Sequence, residues 1–182
     1  MIRLISISKT DKLLQKSMKK HYTKPKGFVG RSICYAIYFD KTMYGHILGG
    51  SSTLYLKGRN EFFKVDKTKL NNIVNNIFYH IEKVNNRYPL RNFTTKVLRA
   101  WRDQISIDWQ QKYGDEVIGF ESLIEPPRTA ELYKKDKWTL VGKTIGYTCK
   151  RVSGKEKGLF KTGKRIWNTK DLRPKLIFCR GL

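Results

Sequence analysis

AELYKKDKWTLVGKT, residues 130–144, joins two kinds of local pattern within fifteen residues. Tyr133 ends an amphipathic helical turn, and Trp138 follows five residues later. Gly142 then lies in an apolar run that is typical of a strand. The segment predicts a short helix over residues 129–135, followed by a strand pair or one long strand over residues 139–150. A helix that leads directly into a strand is typical of a chain in which helices cover a sheet.

The N-terminal part of the sequence predicts a strand, a basic helix and a β-hairpin. Alternating β-forming residues favour the strands, and an apolar face of Leu13, Leu14 and Met18 favours the helix. The predicted elements are a strand over residues 1–6 and a helix over residues 11–20 that Thr10 caps. Two paired strands follow, over residues 32–39 and 43–48, and Gly49-Gly50 breaks the second. Residues 53–56 are the candidates for an extension of this strand.

The most strongly patterned helix is predicted over residues 93–113. It is preceded by Asn92, which suits a helix cap, and is ended by Gly114. Residues 70–81 fit either period, and we favour a central strand over 77–81. Residues 117–124 predict a buried strand. The helix carries its apolar side chains on one stripe, at Val97, Leu98, Trp101, Ile105 and Trp109.

The elements together predict an α+β fold with a mixed, mainly antiparallel sheet and helices on both faces. The chain has 182 residues, so we expect one domain over residues 1–182 with one sizeable core. No apolar run approaches the roughly 20 residues needed to span a membrane. Three cysteines at distant positions give neither a disulfide framework nor a zinc spacing, which favours the cytoplasm. The sequence leaves the oligomeric state open.

The chain carries 38 Lys and Arg against 15 Asp and Glu, a formal net charge of +23. Eight of the basic residues lie between Lys9 and Arg31, and eleven lie between Lys150 and Arg180. Such basic flanks, in the first helix and the C-terminal segment, favour a nucleic-acid partner, most plausibly DNA. The residues that we expect to contact phosphates are Lys19, Lys20, Lys24, Lys150, Arg151, Lys164 and Arg165.

Two blocks of sequence carry a family resemblance that covers about two-thirds of the chain. The first combines His21-Tyr22 with the run Tyr44-Gly45-His46-Ile47-Leu48-Gly49-Gly50. The second runs from Asn92 to Arg151 and includes residues 120–125, Tyr133, Trp138 and Gly142. Their order resembles the Mom-type phage proteins that modify DNA adenine, which are relatives of GNAT acyltransferases. The second block is also similar to the uncharacterised domain of Druantia anti-phage systems.

The resemblance implies a GNAT-like fold and acyl-type transfer to the exocyclic amine of adenine in phage DNA, in the host cytoplasm. In the GNAT arrangement a tyrosine at the position of Tyr133 protonates the departing group. A glycine is expected shortly before this tyrosine, where this chain has Ala130. Residues 86–92 also lack the glycine-rich loop that holds coenzyme A. The donor therefore stays open between acetyl-CoA and another activated acyl donor.

The chemistry of adenine acylation needs a base for a weakly nucleophilic amine and a pocket for a base taken out of the stack. We predict catalytic roles for His21, Tyr22 and Tyr133 and for Glu121, which we expect to share one cleft with Tyr133. The alternative for Glu121 is a salt bridge to a basic residue. Arg87, Arg91 and Asn92 precede a helix N-terminus, where an anionic donor could dock.

Two other functions stay open at this point. A non-catalytic nucleic-acid-binding protein of phage defence or counter-defence would explain the charge equally well. An acyltransferase that acts on a protein or on RNA would also carry the helix with Tyr133. The three histidines lack an acidic residue at a fixed spacing, so we predict no metal site.

Overall fold

The computed structural model describes the backbone of the chain except at residues 24, 26, 29, 55, 153–155, 158, 159, 162, 163, 169 and 171. The side chains of residues 148–152, 156, 157, 160, 161 and 164–168 also lie outside the described part. The helices are α1 (Lys12–Lys20), α2 (Lys57–Phe63), α3 (Phe93–Tyr113) and α4 (Glu131–Lys135), and a 3-10 helix covers Lys67–Asn72. The strands are β1 (Ile2–Ile7), β2 (Ser32–Phe39), β3 (Thr42–Ser51), β4 (Ile73–Ile81), β5 (Gly119–Ile124), β6 (Thr139–Lys143), β7 (Thr148–Val152), β8 (Glu156–Lys157), β9 (Phe160–Lys161), β10 (Lys164–Asn168) and β11 (Leu176–Gly181).

A seven-stranded sheet in the order β1-β2-β3-β4-β5-β11-β6 forms the centre of the fold. Its neighbouring strands run antiparallel, with the exception of the parallel pair β4 and β5. Two short antiparallel ribbons, β7 with β10 and β8 with β9, stand outside this sheet. The prediction of a mixed, mainly antiparallel sheet is confirmed.

Helices cover both faces of the sheet, as predicted. Helix α3 packs on the face of β2 that carries Ile33, Tyr35 and Ile37. Helix α1 packs on the opposite face, against Cys34 and Leu48. Successive side chains of a strand point to opposite faces, so the two helices belong to different layers. The core between α3 and the sheet also receives Tyr133 from α4.

Helix α3 has the bounds that its apolar stripe predicts. All five side chains of the stripe, Val97, Leu98, Trp101, Ile105 and Trp109, are fully buried. Gly114 ends the helix with a positive φ of 76°, a conformation that glycine adopts without steric cost. None of the helices in the described part of the chain is long and apolar enough to cross a membrane.

Strand β3 continues through Gly49 and Gly50, so the predicted break at these glycines is wrong. A Cβ atom at Gly49 would collide with the side chains of Ile105 and Val74. The glycines therefore allow α3 and β4 to approach the strand closely, and they do not form a turn.

The predicted strand pair or long strand over residues 139–150 is wrong, because β6 pairs with β11 and β7 pairs with β10. Other boundaries also differ from the predictions. Asp11, not Thr10, caps α1, because its carboxylate accepts hydrogen bonds from the backbone of Leu13 and Leu14 at 2.9 Å. The Leu13 side chain is half exposed and does not belong to the buried face. The residues after β3 lead into α2 rather than into more strand, and β4 begins at Ile73, four residues earlier than expected.

Candidate active site

The parallel strands β4 and β5 separate at the centre of the sheet and open a cavity between them. They pair only at Ile73–Asn75 and Gly119–Glu121. Beyond this point the cavity has a volume of about 860 Å³ and is lined by residues 75–81 and 122–124 of the two strands. The turn after α1, the loop before α4 and α4 itself close it on other sides. The edge of β4 that faces the cavity therefore has no strand partner within the described pairs.

The Tyr133 hydroxyl lies at the fork between the two strands. It donates a 2.7 Å hydrogen bond to Oδ1 of Asn76 on β4. The Ser122 hydroxyl of β5 lies 3.0 Å from the Tyr133 oxygen and 3.3 Å from the Asn76 carbonyl oxygen. Burial raises the pKa of Tyr133 above its usual value. The hydrogen bond from Ser122 lowers the same pKa by a smaller amount. Tyr133 is thus a neutral phenol at physiological pH and holds a proton that it can give to an anion.

His21 and Tyr22 line the same cavity, so the structure brings three of the four predicted catalytic residues together. His21 ends α1, and its ring packs on Phe78 with the centroids 4.6 Å apart. Burial is the largest cause that lowers the pKa of His21 to about 4, followed by the charges of His80 and Arg128. The ring is therefore neutral at pH 7.

The hydrogen bonds of His21 fix its tautomer. Its Nδ1 accepts a 3.3 Å bond from the backbone of Thr23 and lies 2.8 Å from the Thr23 hydroxyl. An accepting Nδ1 leaves the ring proton on Nε2. Nδ1 can thus take up a proton only by giving up its bond to the Thr23 backbone.

Glu121 does not share the cavity, and this prediction is wrong. Its carboxylate is fully buried on the opposite face of β5, in an ion pair with Arg59 of α2. It also accepts a 2.6 Å hydrogen bond from the backbone of Thr53. Successive side chains of a strand point to opposite faces of the sheet. Because Ser122 faces the cavity, the neighbouring Glu121 must face the opposite side. Glu125 does not line the cavity either, and lies 3.7 Å from Lys175.

The residues predicted to hold the donor lie at the N-terminus of α3 and do not line the cavity. Asn92 has a φ of 56°, and its side chain makes no capping bond. Asn85 and Asn86 also have positive φ values, of 52° and 59°. Asparagine is the residue that most readily replaces glycine in this conformation. The loop that contains Arg87 and Arg91 therefore adopts left-handed backbone without glycine.

The predicted nucleic-acid contacts are only partly described. Lys19 and Lys20 are exposed at the end of α1, and Lys20 pairs with Glu82 at 2.8 Å. Lys24 lies outside the described residues. The side chains of Lys150, Arg151, Lys164 and Arg165 also lie outside them, although their backbones form the ribbon of β7 and β10.

Several residues at the cavity were missed or set aside by sequence reasoning. Asn76 and Ser122 meet Tyr133 only because β4 and β5 are neighbours, which no local pattern shows. Arg128 lies in a proline-rich loop without periodicity, yet its guanidinium is stacked on the ring of Tyr22 at 3.2 Å. The ring centroid of His80, which the sequence did not single out as a site residue, lies 6.0 Å from that of His21. No group of His, Cys, Asp and Glu in the described part could hold a metal ion.

No protein-family model matches the chain, and no curated protein matches it. Solved acetyltransferases do share its fold. The aminoglycoside acetyltransferase AAC(6')-Ib, solved with coenzyme A and kanamycin, is 11% identical, with 100% of this chain and 95% of that chain covered and a TM-score of 0.60. An acetyltransferase from Bacillus subtilis, solved with coenzyme A, is 9% identical, with 100% and 99% covered and a TM-score of 0.58.

A third similar structure is the acetyltransferase of Salmonella typhimurium that modifies the N-terminal serine of ribosomal protein L7/L12. It is 13% identical over 84% of this chain, with a TM-score of 0.49, and the present chain spans 65% of its length. At such identities structural similarity establishes the fold alone. The first two matches show that the chain has the GNAT acyltransferase fold.

Proposed function

We propose that the protein transfers an acyl group from a coenzyme A thioester to the exocyclic amine of adenine in DNA. The observation that carries the proposal is the neutral Tyr133 hydroxyl at the fork of β4 and β5, inside a cavity large enough for two reacting groups. A buried phenol at this point can protonate a leaving thiolate, which is the role of the corresponding tyrosine in the GNAT arrangement.

The fold and the shape of the cavity support a coenzyme A donor. Two similar structures were solved with coenzyme A. The free edge of β4, over residues 77–81, offers backbone hydrogen bonds to an extended arm. The uncapped N-terminus of α3, with Arg87 and Arg91 beside it, suits the phosphates. The thioester would supply the activated acyl group.

Two side chains control the proton of Tyr133. In the resting state Asn76 Oδ1 accepts a hydrogen bond from the Tyr133 hydroxyl and thereby orients it. When Tyr133 gives its proton away, the Ser122 hydroxyl at 3.0 Å stabilises the phenolate by a hydrogen bond. Ser122 and Asn76 therefore act as positioning residues, and Tyr133 is the proton donor.

The electrostatics of the cavity support an aromatic amine in a polyanion as the acceptor. Lys20, Arg128 and Lys175 line it. Among the described lining residues the one acidic side chain is that of Glu131, which pairs with Lys134 at 2.8 Å. An alkyl amine is a cation at pH 7 and would be repelled, whereas the amine of adenine is neutral. A neutral amine needs proton removal only as the new bond forms. We propose that neutral His21 accepts this proton on Nδ1.

The test is acyl transfer from labelled acetyl-CoA to adenine-containing DNA, followed by mass spectrometry of the nucleosides. Tyr133→Phe should reduce the rate by about a hundredfold or more, because general acid catalysis contributes on that scale. Tyr113→Phe is the matched control, since its hydroxyl bonds Ser32 outside the cavity. An unchanged nucleoside mass with the native protein would refute DNA modification.

The charge of the chain favours one other function, that of a nucleic-acid-binding protein without catalysis. Such a protein would bind DNA equally well with Tyr133→Phe and would transfer no acyl group to DNA, RNA or protein. Measuring binding and transfer on the same preparations separates the two functions.

A further inference from the structure

Arg128 is the cation of the cavity wall that no carboxylate neutralises among the described residues. Lys20 pairs with Glu82 at 2.8 Å, and Lys175 lies 3.7 Å from Glu125. The contact of Arg128 is instead the ring of Tyr22, with the guanidinium carbon 3.2 Å from the ring centroid. Arg128 is exposed to solvent, and Tyr22 is 38% exposed. The pair therefore forms a positively charged part of the cavity mouth.

A guanidinium stacked flat on an aromatic ring keeps its N–H donors free at its edge. Those donors form a planar fork that matches two oxygens of a phosphate. The stacking also holds the side chain in one orientation, so less conformational entropy is lost when an anion binds. An unpaired, pre-oriented arginine at a cavity mouth is thus suited to recognise a phosphate group.

The bound phosphate would lie beside the residues that handle the acceptor. Tyr22 follows His21 directly, and Arg128 stacks on its ring. Burial is the largest cause that lowers the pKa of His21 and raises that of Tyr22, and the charge of Arg128 also acts on both groups. Arg87 and Arg91, by contrast, lie at the N-terminus of α3 and contribute nothing to the cavity wall. Arg128 is therefore separated from the residues that suit the phosphates of the donor.

We infer that Arg128, stacked on Tyr22, binds a phosphate of a nucleotide acceptor next to the base that enters the cavity. This inference rests on the proposed function and names how the same site selects its acceptor. A phosphate here anchors the backbone of the strand while the base occupies the cavity. Cationic amines receive no such contact, so the mouth selects nucleotides over them.

The test is equilibrium binding by calorimetry of three probes: 2′-deoxyadenosine 5′-monophosphate, 2′-deoxyadenosine and coenzyme A. The native protein should bind the nucleotide about tenfold more tightly than the nucleoside, the scale of a charge-assisted hydrogen bond. Arg128→Gln should abolish that difference and leave the affinity for coenzyme A unchanged. Arg128→Lys should keep part of it, because it retains the charge without the planar fork. Arg173→Gln is the control, an exposed arginine that does not line the cavity.

Three results would overturn the inference. The first is equal affinity of the native protein for nucleotide and nucleoside, including no binding of either. The second is an equal loss of nucleotide affinity in Arg128→Gln and Arg173→Gln, and the third is a loss of affinity for coenzyme A in Arg128→Gln. The last result would assign Arg128 to the donor. The selective loss supports the inference even if no acyl group reaches DNA. In that case the phosphate site stands and the proposed reaction fails.

Discussion

Ala130 adopts a conformation that the side chain of alanine disfavours. Its φ of 58° lies in the left-handed region, directly before α4. A glycine was expected shortly before the tyrosine from the family resemblance, and the backbone at Ala130 is one that glycine adopts freely. The left-handed backbone at Ala130 therefore costs conformational energy, directly before the helix that carries Tyr133.

We expect Ala130→Gly to stabilise the protein by up to about 1 kcal/mol. The left-handed conformation costs alanine roughly 1–2 kcal/mol, and the greater freedom of glycine in the unfolded chain returns part of that gain. Ala100→Gly, inside α3, should destabilise it by about 1 kcal/mol instead. Urea unfolding of both variants measures the difference. A loss of stability in both would contradict the strain at Ala130.

The buried histidines make stability depend on pH. His21 has a pKa of about 4 in the folded state against 6.5 when unfolded, and burial also lowers the pKa of His46. Between these values the unfolded chain binds more protons, so stability rises with pH. The contribution is complete above pH 6.5 and is lost as the pH falls towards 4.

We therefore expect the native protein to lose more stability than His21→Gln between pH 7 and pH 5, by on the order of 1 kcal/mol after allowance for solvent screening. Urea unfolding at the two pH values measures it. His46 remains in both proteins, so its effect cancels in the comparison. Equal losses would show that His21 is not desolvated in the folded state.

At the scale of elements, α2 is tied to the sheet by one buried ion pair. Arg59 of α2 and Glu121 of β5 are both fully buried, and Arg59 also donates to the backbone carbonyl of Thr53. The pair lies on the opposite face of β5 from Tyr133. Glu121 therefore holds α2 against β5 and does not line the cavity.

Glu121→Gln should lower the free energy of unfolding by about 3 kcal/mol, because it leaves the charge of Arg59 buried without a partner. Transfer activity per folded molecule should not change at a temperature where the variant is folded. Glu116→Gln, at an exposed position, should have little effect. Loss of transfer without loss of stability would instead restore Glu121 as the base.

At the scale of the whole molecule, the dominant feature is a formal net charge of +23. Within the described part of the chain the buried residues are mainly hydrophobic, and Lys20, Arg128 and Lys175 line the cavity. A polyanion is the partner that such a surface attracts over the longest range.

We expect the affinity for DNA to fall steeply with salt. Each phosphate that is neutralised releases counterions, so six to ten contacts reduce affinity by about 10³ to 10⁵ between 50 and 200 mM salt. Fluorescence anisotropy with one oligonucleotide across that range gives the slope. A slope near zero would remove DNA as the partner, both for the enzyme and for the simple binding protein.

The amino-acid pattern alone determined the long helix α3, the hairpin of β2 and β3, and the α+β class, because periodic burial is a local property of a chain. The family resemblance carried by the sequence added Tyr133, His21 and Tyr22 as candidate site residues. It misread Gly49 and Gly50, where the cause is the close approach of Ile105 from a distant helix.

Tertiary structure alone decided the make-up of the site. Asn76, Ser122 and Arg128 come from separate parts of the chain, and only the separation of β4 from β5 brings them to one cavity. Because successive side chains of a strand alternate between its faces, Ser122 lies in that cavity and Glu121 lies on the opposite face of β5. Which of two neighbouring residues faces a cavity depends on what packs against each side of the strand, and that is fixed by contacts between residues far apart in sequence.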